Sequence, residues 1–361
     1  MNFEIREDMW NRLRLSDKKK VMYGMGNGAD KILKVCESYG IEICDFFASD
    51  GFVRGHSFHG KTVLSYSQVK EKYGAENITV LLSFATSLPD VLENIYRIAG
   101  ECELYAPDVP VFGETLFDTE FYTAHRDDIE RVYNMLADEE SRNIYINVIK
   151  YRLSGDIGYL RLAESDKDKT YTELLNAQNF RNTADLGAYN GDTVRELAEY
   201  APGLRRVTAL EPDRRNFRKL SEYAAAESRF EVIPLQLGAW SCRAELTFDG
   251  SGNRNSNISG TSSSGKMTLV SADALDAVIP QNEKTDYIKY DVEGSEREAI
   301  EGSRQIIERC RPRLLISVYH RSGDIFELPL LINRLFPSYR LFMRRFRYIP
   351  AWDLDLICIP E

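Results

Sequence analysis

The sequence predicts an α/β protein built from two parallel, helix-covered sheets in succession. Three observations predict it. Short apolar runs alternate with amphipathic helical stretches in two separate parts of the chain, 20–105 and 182–335, and such alternation marks strand–helix–strand units. Each part opens with an apolar run that breaks into a glycine turn, Gly24-Met25-Gly26-Asn27-Gly28 and Gly187-Ala188-Tyr189-Asn190-Gly191. Between the parts, residues 118–178 are charged and carry helical periodicity, with Ile129, Val132, Tyr133 and Leu136, then Ile144, Ile146 and Ile149, on recurring faces.

Taken in order, residues 20–24 read as a strand, 31–39 as a helix, 41–47 as a second strand, and 78–84 and 103–105 as further strands. This is a small Rossmann-like domain over 1–116. Residues 117–178 form a helical connector, read as solvated. The larger unit, 179–361, alternates strand 182–186, a helix from 192, strand 206–210, helix 213–226, strand 230–235, strand 286–291, helix 295–308, strand 313–318 and helix 324–335. Two last strand-like runs, 339–346 and 353–359, flank a Pro-containing turn and close the chain as a β-hairpin.

The bulk properties limit the function. A length of 361 residues suits about two domains, each with its own core, and 43% hydrophobic with 28% charged residues is ordinary for a soluble protein. A net charge of −10 argues against a general nucleic-acid or anionic-membrane binder. No run approaches the roughly twenty apolar residues of a membrane span. The acidic N-terminus has no apolar signal core, which points to the cytoplasm. Six cysteines stand singly with no C-x-x-C pair, as expected of buried reduced thiols.

The second glycine turn carries the chemistry. Asp185 precedes it, and Glu211 follows Gly191 by twenty residues, the interval at which a carboxylate holds ribose hydroxyls in a βαβ nucleotide site. A pyrophosphate is drawn to such a turn by free N–H groups and a helix dipole. Asp185 would repel it, and suits instead a phosphate-free ligand with a cationic head, such as the ammonium and sulfonium of S-adenosylmethionine. The backbone at Gly187 and Ala188 is expected to approach that cofactor closely, with Asp192 or Thr193 capping the next helix. Leu235 to Trp240, including Leu237 and Gly238, are placed near the adenine, although Trp240 is equally a core residue.

Asp291 and Glu293 end a strand at the open cleft of the sheet, where ligands bind. Asp291 is read as lying near the transferred methyl and Glu293 as orienting the acceptor; the alternative is a pair of acids favouring the helix N-terminus that follows. His320, at another strand end, is the candidate general base, since an unperturbed imidazole titrates near 6.5. Asp291, Glu293 and His320 are also a ligand set for a hard divalent ion, but their spacing requires none and no metal is expected.

Four segments in order, 184–193, Leu210-Glu211-Pro212, 287–296 and Leu314 to His320 followed by Glu327-Leu328-Pro329, resemble the FkbM family of S-adenosylmethionine-dependent methyltransferases. The resemblance covers roughly the C-terminal half. It implies a class I methyltransferase sheet with a terminal hairpin, the cofactor residues Asp185, Gly187, Ala188, Tyr189, Gly191, Thr193, Glu211, Pro212, Leu237, Gly238 and Asp291, and O-methylation of a sugar, glycan precursor or similar hydroxylated small molecule. The chain passes straight from Asn190 to Gly191 where the family often has Ile.

Other features stay open. The loop from Gly250 to Asn257 is either a substrate-facing lid or a plain connection. Arg340, Arg344, Arg345 and Arg347 either blunt an exposed edge strand or meet an acidic partner. Gly24-x-Gly26-x-x-Ala29 formally matches a dinucleotide pattern, so an NAD-linked oxidoreductase and a non-enzymatic nucleotide-sugar-binding protein are the competing functions. His56 and His59 read as surface loop, and association into a homo-oligomer is left open.

Overall fold

A computed structural model describes residues 7–50, 53, 55–249 and 267–361; the Gly250 to Asn257 loop lies outside them. Two sheets are present, as expected. In the first, β1 (Lys19–Tyr23) is central, with β2 (Ile43–Ala48) on one side and β3 (Ile78–Leu82) and β4 (Glu103–Tyr105) on the other, all parallel; a two-residue strand, Leu64–Ser65, extends the β2 edge. Its strands are nearly continuous apolar runs because helices, chiefly Asn27–Ser38 and Pro89–Glu101, cover both faces.

The second sheet has seven main strands: β5 (Asn182–Leu186), β6 (Arg206–Leu210), β7 (Glu231–Leu235), then, after β8 (Ala244–Asp249) and β9 (Met267–Asp273) of a small separate sheet, β10 (Tyr287–Tyr290), β11 (Arg313–Ser317), β12 (Tyr339–Arg345) and β13 (Leu354–Pro360). The order is β7-β6-β5-β10-β11-β13-β12, with β13 antiparallel to both neighbours. The order reverses between β5 and β10, so the carboxyl ends of these two strands frame a cleft. The stretch expected as one helix over 295–308 is two, Glu296–Glu301 and Arg304–Cys310. Gly302 separates them, and a Cβ there would overlap the carbonyl oxygen of Trp240.

The helical middle is not a solvated connector. In the helix Glu139–Ser154, Ile144, Tyr145, Val148, Ile149, Tyr151 and Leu153 are all buried. They belong to one hydrophobic cluster that also takes in Val80, Ile95 and Ile98 of the first sheet's layer and Ile288, Leu314 and Leu356 of the second. Of its polar residues, Glu139, Glu140 and Asn143 are exposed, whereas Ser141, Asn147 and Arg152 are buried. The same helix covers the β12 edge, which explains the arginines. Arg344 Nη2 lies 2.7 Å from Asp138 Oδ2, and buried Arg345 donates to the backbone carbonyls of Leu160 and Tyr348. Arg340 and Arg347 are exposed. The edge is closed by packing rather than blunted by charge.

The halves are also laced by backbone bonds. Thr86 and Ile349 exchange two, at 2.8 and 3.0 Å, and the Phe112 N–H donates to the His320 carbonyl at 2.8 Å. Among the described residues no helix is long and apolar enough to cross a membrane.

Candidate active site

The site is assembled where β5, β6, β10 and β11 end. Asp185 sits beside Ala209 on one side and Lys289 on the other in the parallel register, so the acid and the lysine project from the same face of the pleat. Lys289 Nζ lies 2.7 Å from Asp291 Oδ2, two residues along its own strand. Asp185 is buried; its Oδ2 accepts from the Thr193 hydroxyl, and its Oδ1 has no partner. Burial pushes this carboxyl up, opposed by Lys289 and Thr193. Thr193 therefore orients Asp185 and does not cap the helix. Gly191 holds the N-cap position, while Asp192, one residue inside the helix, accepts the first-turn Thr193 N–H on its Oδ1 at 3.0 Å.

Glycine at 187 is required by the fold itself. Its φ is +89°, and a Cβ would overlap the carbonyl oxygen of Asp291. The residue lets the ends of β5 and β10 meet, and thereby sets Asp185 against Asp291. Tyr189 takes a left-handed φ of 47°. That conformation turns its N–H onto Glu211 Oε2 at 2.9 Å, while the Asp213 N–H donates to Glu211 Oε1 at 2.8 Å. Burial raises the Glu211 carboxyl to about 8 against these two donors. Each oxygen retains acceptor capacity for a ligand hydroxyl. Ala188 is fully buried, Pro212 joins Glu211 to the capping Asp213, Leu237 is half-buried, and Gly238 pairs with Ala272 of β9.

His320 is fully buried and ringed by acids. Its Nδ1 lies 2.9 Å from Glu296 Oε1, and its Nε2 lies 3.5 Å from both Asp291 Oδ1 and Glu293 Oε2. Burial alone would lower the imidazole, but Glu296, Glu293 and Asp291 outweigh it and raise it to about 10. The surrounding acids thus favour the charged imidazolium. The free base expected from its ordinary value is not what this setting provides. Burial pushes Asp291 up as well, yet Lys289 and His320 hold it below the usual carboxylate range. Tyr319 Oη donates to Asp291 Oδ1 at 3.2 Å.

Glu293 behaves differently. It adopts a left-handed φ of 54°, unusual for a non-glycine residue. Burial lifts its carboxyl to about 8, His320 opposes the rise, and Asp291 and Glu296 add to it. Its Oε2 and the His320 Nε2 both lack hydrogen-bond partners.

Asp185, Asp291, Glu293 and His320 are therefore brought together as predicted from sequence, and Glu211 stands across the same cleft mouth. Glu296 and Lys289 complete the set. Glu296 was readable only as a helix-terminal acid, because nothing in its spacing announces a histidine 24 residues on. Among the described residues no group of three or more His, Cys, Asp or Glu side chains is arranged to hold a metal ion. The His56–His59 segment places exposed His59 on Asp30 at 2.7 Å. A cationic, phosphate-free ligand fits the site, since the orphaned Asp185 oxygen is a ready acceptor for an ammonium.

Comparison with known proteins agrees. Residues 185–350 match the model of the methyltransferase FkbM domain. The FkbM methyltransferase structure from Methylobacillus flagellatus KT superposes with a TM-score of 0.70 at 20% identity, over 95% of this chain and 90% of that one. An rRNA methylase from Streptococcus thermophilus gives 0.33 at 15% identity, over 54% and 93%. A Streptococcus mutans structure in complex with SAH gives 0.33 at 13% identity, over 54% and 98%. No curated protein matches the chain. The first superposition takes in both sheets, so the fold of nearly the whole chain is shared. Residues 185–350 match the methyltransferase FkbM domain, and on that match the protein is an S-adenosylmethionine-dependent methyltransferase.

Proposed function

We propose that the methyl acceptor is a hydroxyl oxygen, on a sugar, glycan precursor or similar polyhydroxylated small molecule. S-adenosylmethionine, when bound, supplies the electrophilic methyl. Asp185 Oδ1 takes the ammonium of that cofactor, and Glu211 takes its ribose hydroxyls. A neutral alcohol is a poor nucleophile and needs a proton acceptor in the transition state. Glu293 is the residue suited to that task. Its carboxyl titrates about 8, its Oε2 is free, and it projects from a constrained backbone beside a fixed cation. His320 keeps that carboxylate in place and balances the charge of Asp291, Glu293 and Glu296.

The single observation behind this reading is the unpartnered Glu293 oxygen 3.5 Å from the His320 imidazolium. The pH dependence of turnover tests it. With Glu293 as base the rate climbs with pH and levels off above about 8. Glu293→Gln is expected to lose about a hundredfold or more in turnover, within the range attributed to acid–base catalysis, and to lose the rising limb as well. A variant that keeps the limb assigns the base elsewhere.

A further inference from the structure

Beside the site lies a cleft of about 650 Å³ that is not lined by Asp185, Glu211 or Glu293. That volume lies within the range of small-molecule sites. It opens where three parts of the chain meet: Ser87 from the first sheet's layer, residues 161–168 from the helical middle, and Phe346, Arg347 and Asp353 from the turn of the terminal hairpin. That turn is at the carboxyl end of the second sheet, the end that carries Asp185 and Asp291.

Most charges in the cleft are already neutralised. Arg347 pairs with Glu164 at 2.8 Å, Lys167 pairs with Glu196 at 2.6 Å, Asp168 accepts from the Tyr200 hydroxyl at 2.6 Å, and Asp166 caps a helical turn. Two groups remain. Asp353, at a left-handed φ of 53°, has no hydrogen-bond donor to its carboxylate among the described residues. Arg161 lies over the Tyr96 ring with its guanidinium 5.1 Å from the centroid and, among the described residues, has no carboxylate partner.

Asp353 is tied to the reaction centre by short steps. Asp355, two residues on, accepts from Ser317 at the end of β11. Trp352 stacks on Tyr319, whose hydroxyl reaches Asp291. A non-glycine residue held at positive φ stores backbone strain, and such residues cluster at functional sites. Three of them, Tyr189, Glu293 and Asp353, surround this one.

We propose that the cleft is the acceptor site and that its ligand is an acidic polyol, with hydroxyls donated to the Asp353 carboxylate and an anionic group held by Arg161. A carboxylate accepts from two vicinal hydroxyls at once, and a guanidinium forks onto a carboxylate or phosphate. A uronic acid and a sugar phosphate share this chemistry. The inference rests on the reading that the enzyme methylates a polyhydroxylated acceptor.

Calorimetry on the full chain saturated with S-adenosylhomocysteine tests it, with glucose, glucuronic acid and glucose 6-phosphate as probes. The two acids should bind about tenfold more tightly than glucose, as a charge-assisted pair warrants, and the tighter one identifies the anion. Arg161→Gln should erase that preference and leave glucose unchanged. Asp353→Asn, which keeps a residue tolerant of positive φ, should weaken all three sugars about fivefold or more, in line with a lost charge-assisted hydrogen bond. S-adenosylhomocysteine affinity should hold in both variants, which also reports an intact fold. Equal affinities for the three probes, or variants that bind them like the parent, overturn the proposal. If S-adenosylhomocysteine binds and no sugar does, the proposal alone falls; if S-adenosylhomocysteine does not bind, the cofactor site falls and takes the proposal with it.

Discussion

The turn after β1 and the turn after β5 occupy the same place in two sheets whose first five positions run in the same order. In each, the first glycine N–H donates to a carbonyl at the end of the neighbouring strand, Gly24 to Phe47 and Gly187 to Leu210. In each, a glycine at positive φ starts the helix that follows. The side chains around these equivalent backbones differ. Two residues before the turn, the first sheet has Met22 and the second Asp185; after the neighbouring strand's last paired residue, the first has Ala48 and the second Glu211. At the fourth strand end, the first sheet brings Phe84 and Ser83 down on the turn, so that a Cβ on Gly24 would lie 2.6 Å from the Phe84 ring. The second sheet brings Asp291 and Glu293, and leaves an acid oxygen unmet. A glycine turn at the head of a parallel sheet is a folding device, and the acids around it make it a site.

Four experiments break or sharpen that contrast. The largest effect is expected from Gly187→Ala, where new atoms would overlap backbone: a loss of more than roughly 4 kcal/mol in urea unfolding, a size reserved for a few severe mechanisms. Gly26→Ala in the other turn has open space around it and meets only the backbone penalty of its φ of +101°, about 1 to 3 kcal/mol. Equal losses would mean that the Asp291 carbonyl yields and the two turns are alike.

Asp185→Ala should weaken S-adenosylhomocysteine binding about a hundredfold, the loss of a buried charge-assisted bond, whereas Met22→Leu should leave it unaltered. If Met22→Leu also weakens binding, the first turn takes part in cofactor recognition. Glu211→Gln is a smaller change, about tenfold by the same calorimetry, because an amide oxygen can still accept from a hydroxyl.

The smallest effect is on stability against pH. His320, Glu211 and Glu293 hold their protons more tightly when folded than when unfolded, so stability falls as pH rises between the unfolded and folded values. Melting temperature should drop by a few degrees, roughly, between pH 6.5 and 9. All three groups contribute across that span, and His320→Gln should leave a smaller drop than the parent's. A parent protein with a level profile over that span would show a neutral imidazole in the fold.

Much of this was legible in the sequence. The strands at 182–186, 206–210 and 103–105 fall where the apolar runs place them, because both faces of a parallel strand are buried and few patterns imitate that. Asp185, Asp291 and His320 each announce themselves as polar residues at the end of an apolar run. Their charge states do not. The imidazolium is favoured by three carboxylates, Asp291 just past β10, Glu293 in the loop and Glu296 at a helix start, and only the folded chain puts them around one ring. Thr193 looked like a cap because a threonine at a helix start usually is one; its hydroxyl is claimed instead by an acid eight residues earlier. Arg344 and Arg345 looked like surface charges because their alternation with aromatics fits an exposed edge, and nothing local reveals that the helix Glu139–Ser154 lies over them. Pattern reading serves strands well and serves side chains with distant partners poorly.

The hydrogen bond from Phe112 to the His320 carbonyl has a consequence for how such enzymes change over generations. A catalytic module that borrows one wall of its histidine cage from an upstream neighbour cannot be traded between proteins as a self-sufficient cassette. The Phe112 ring also lies 4.0 Å from the Arg321 guanidinium, so a change of side chain there is expected to be felt beside His320.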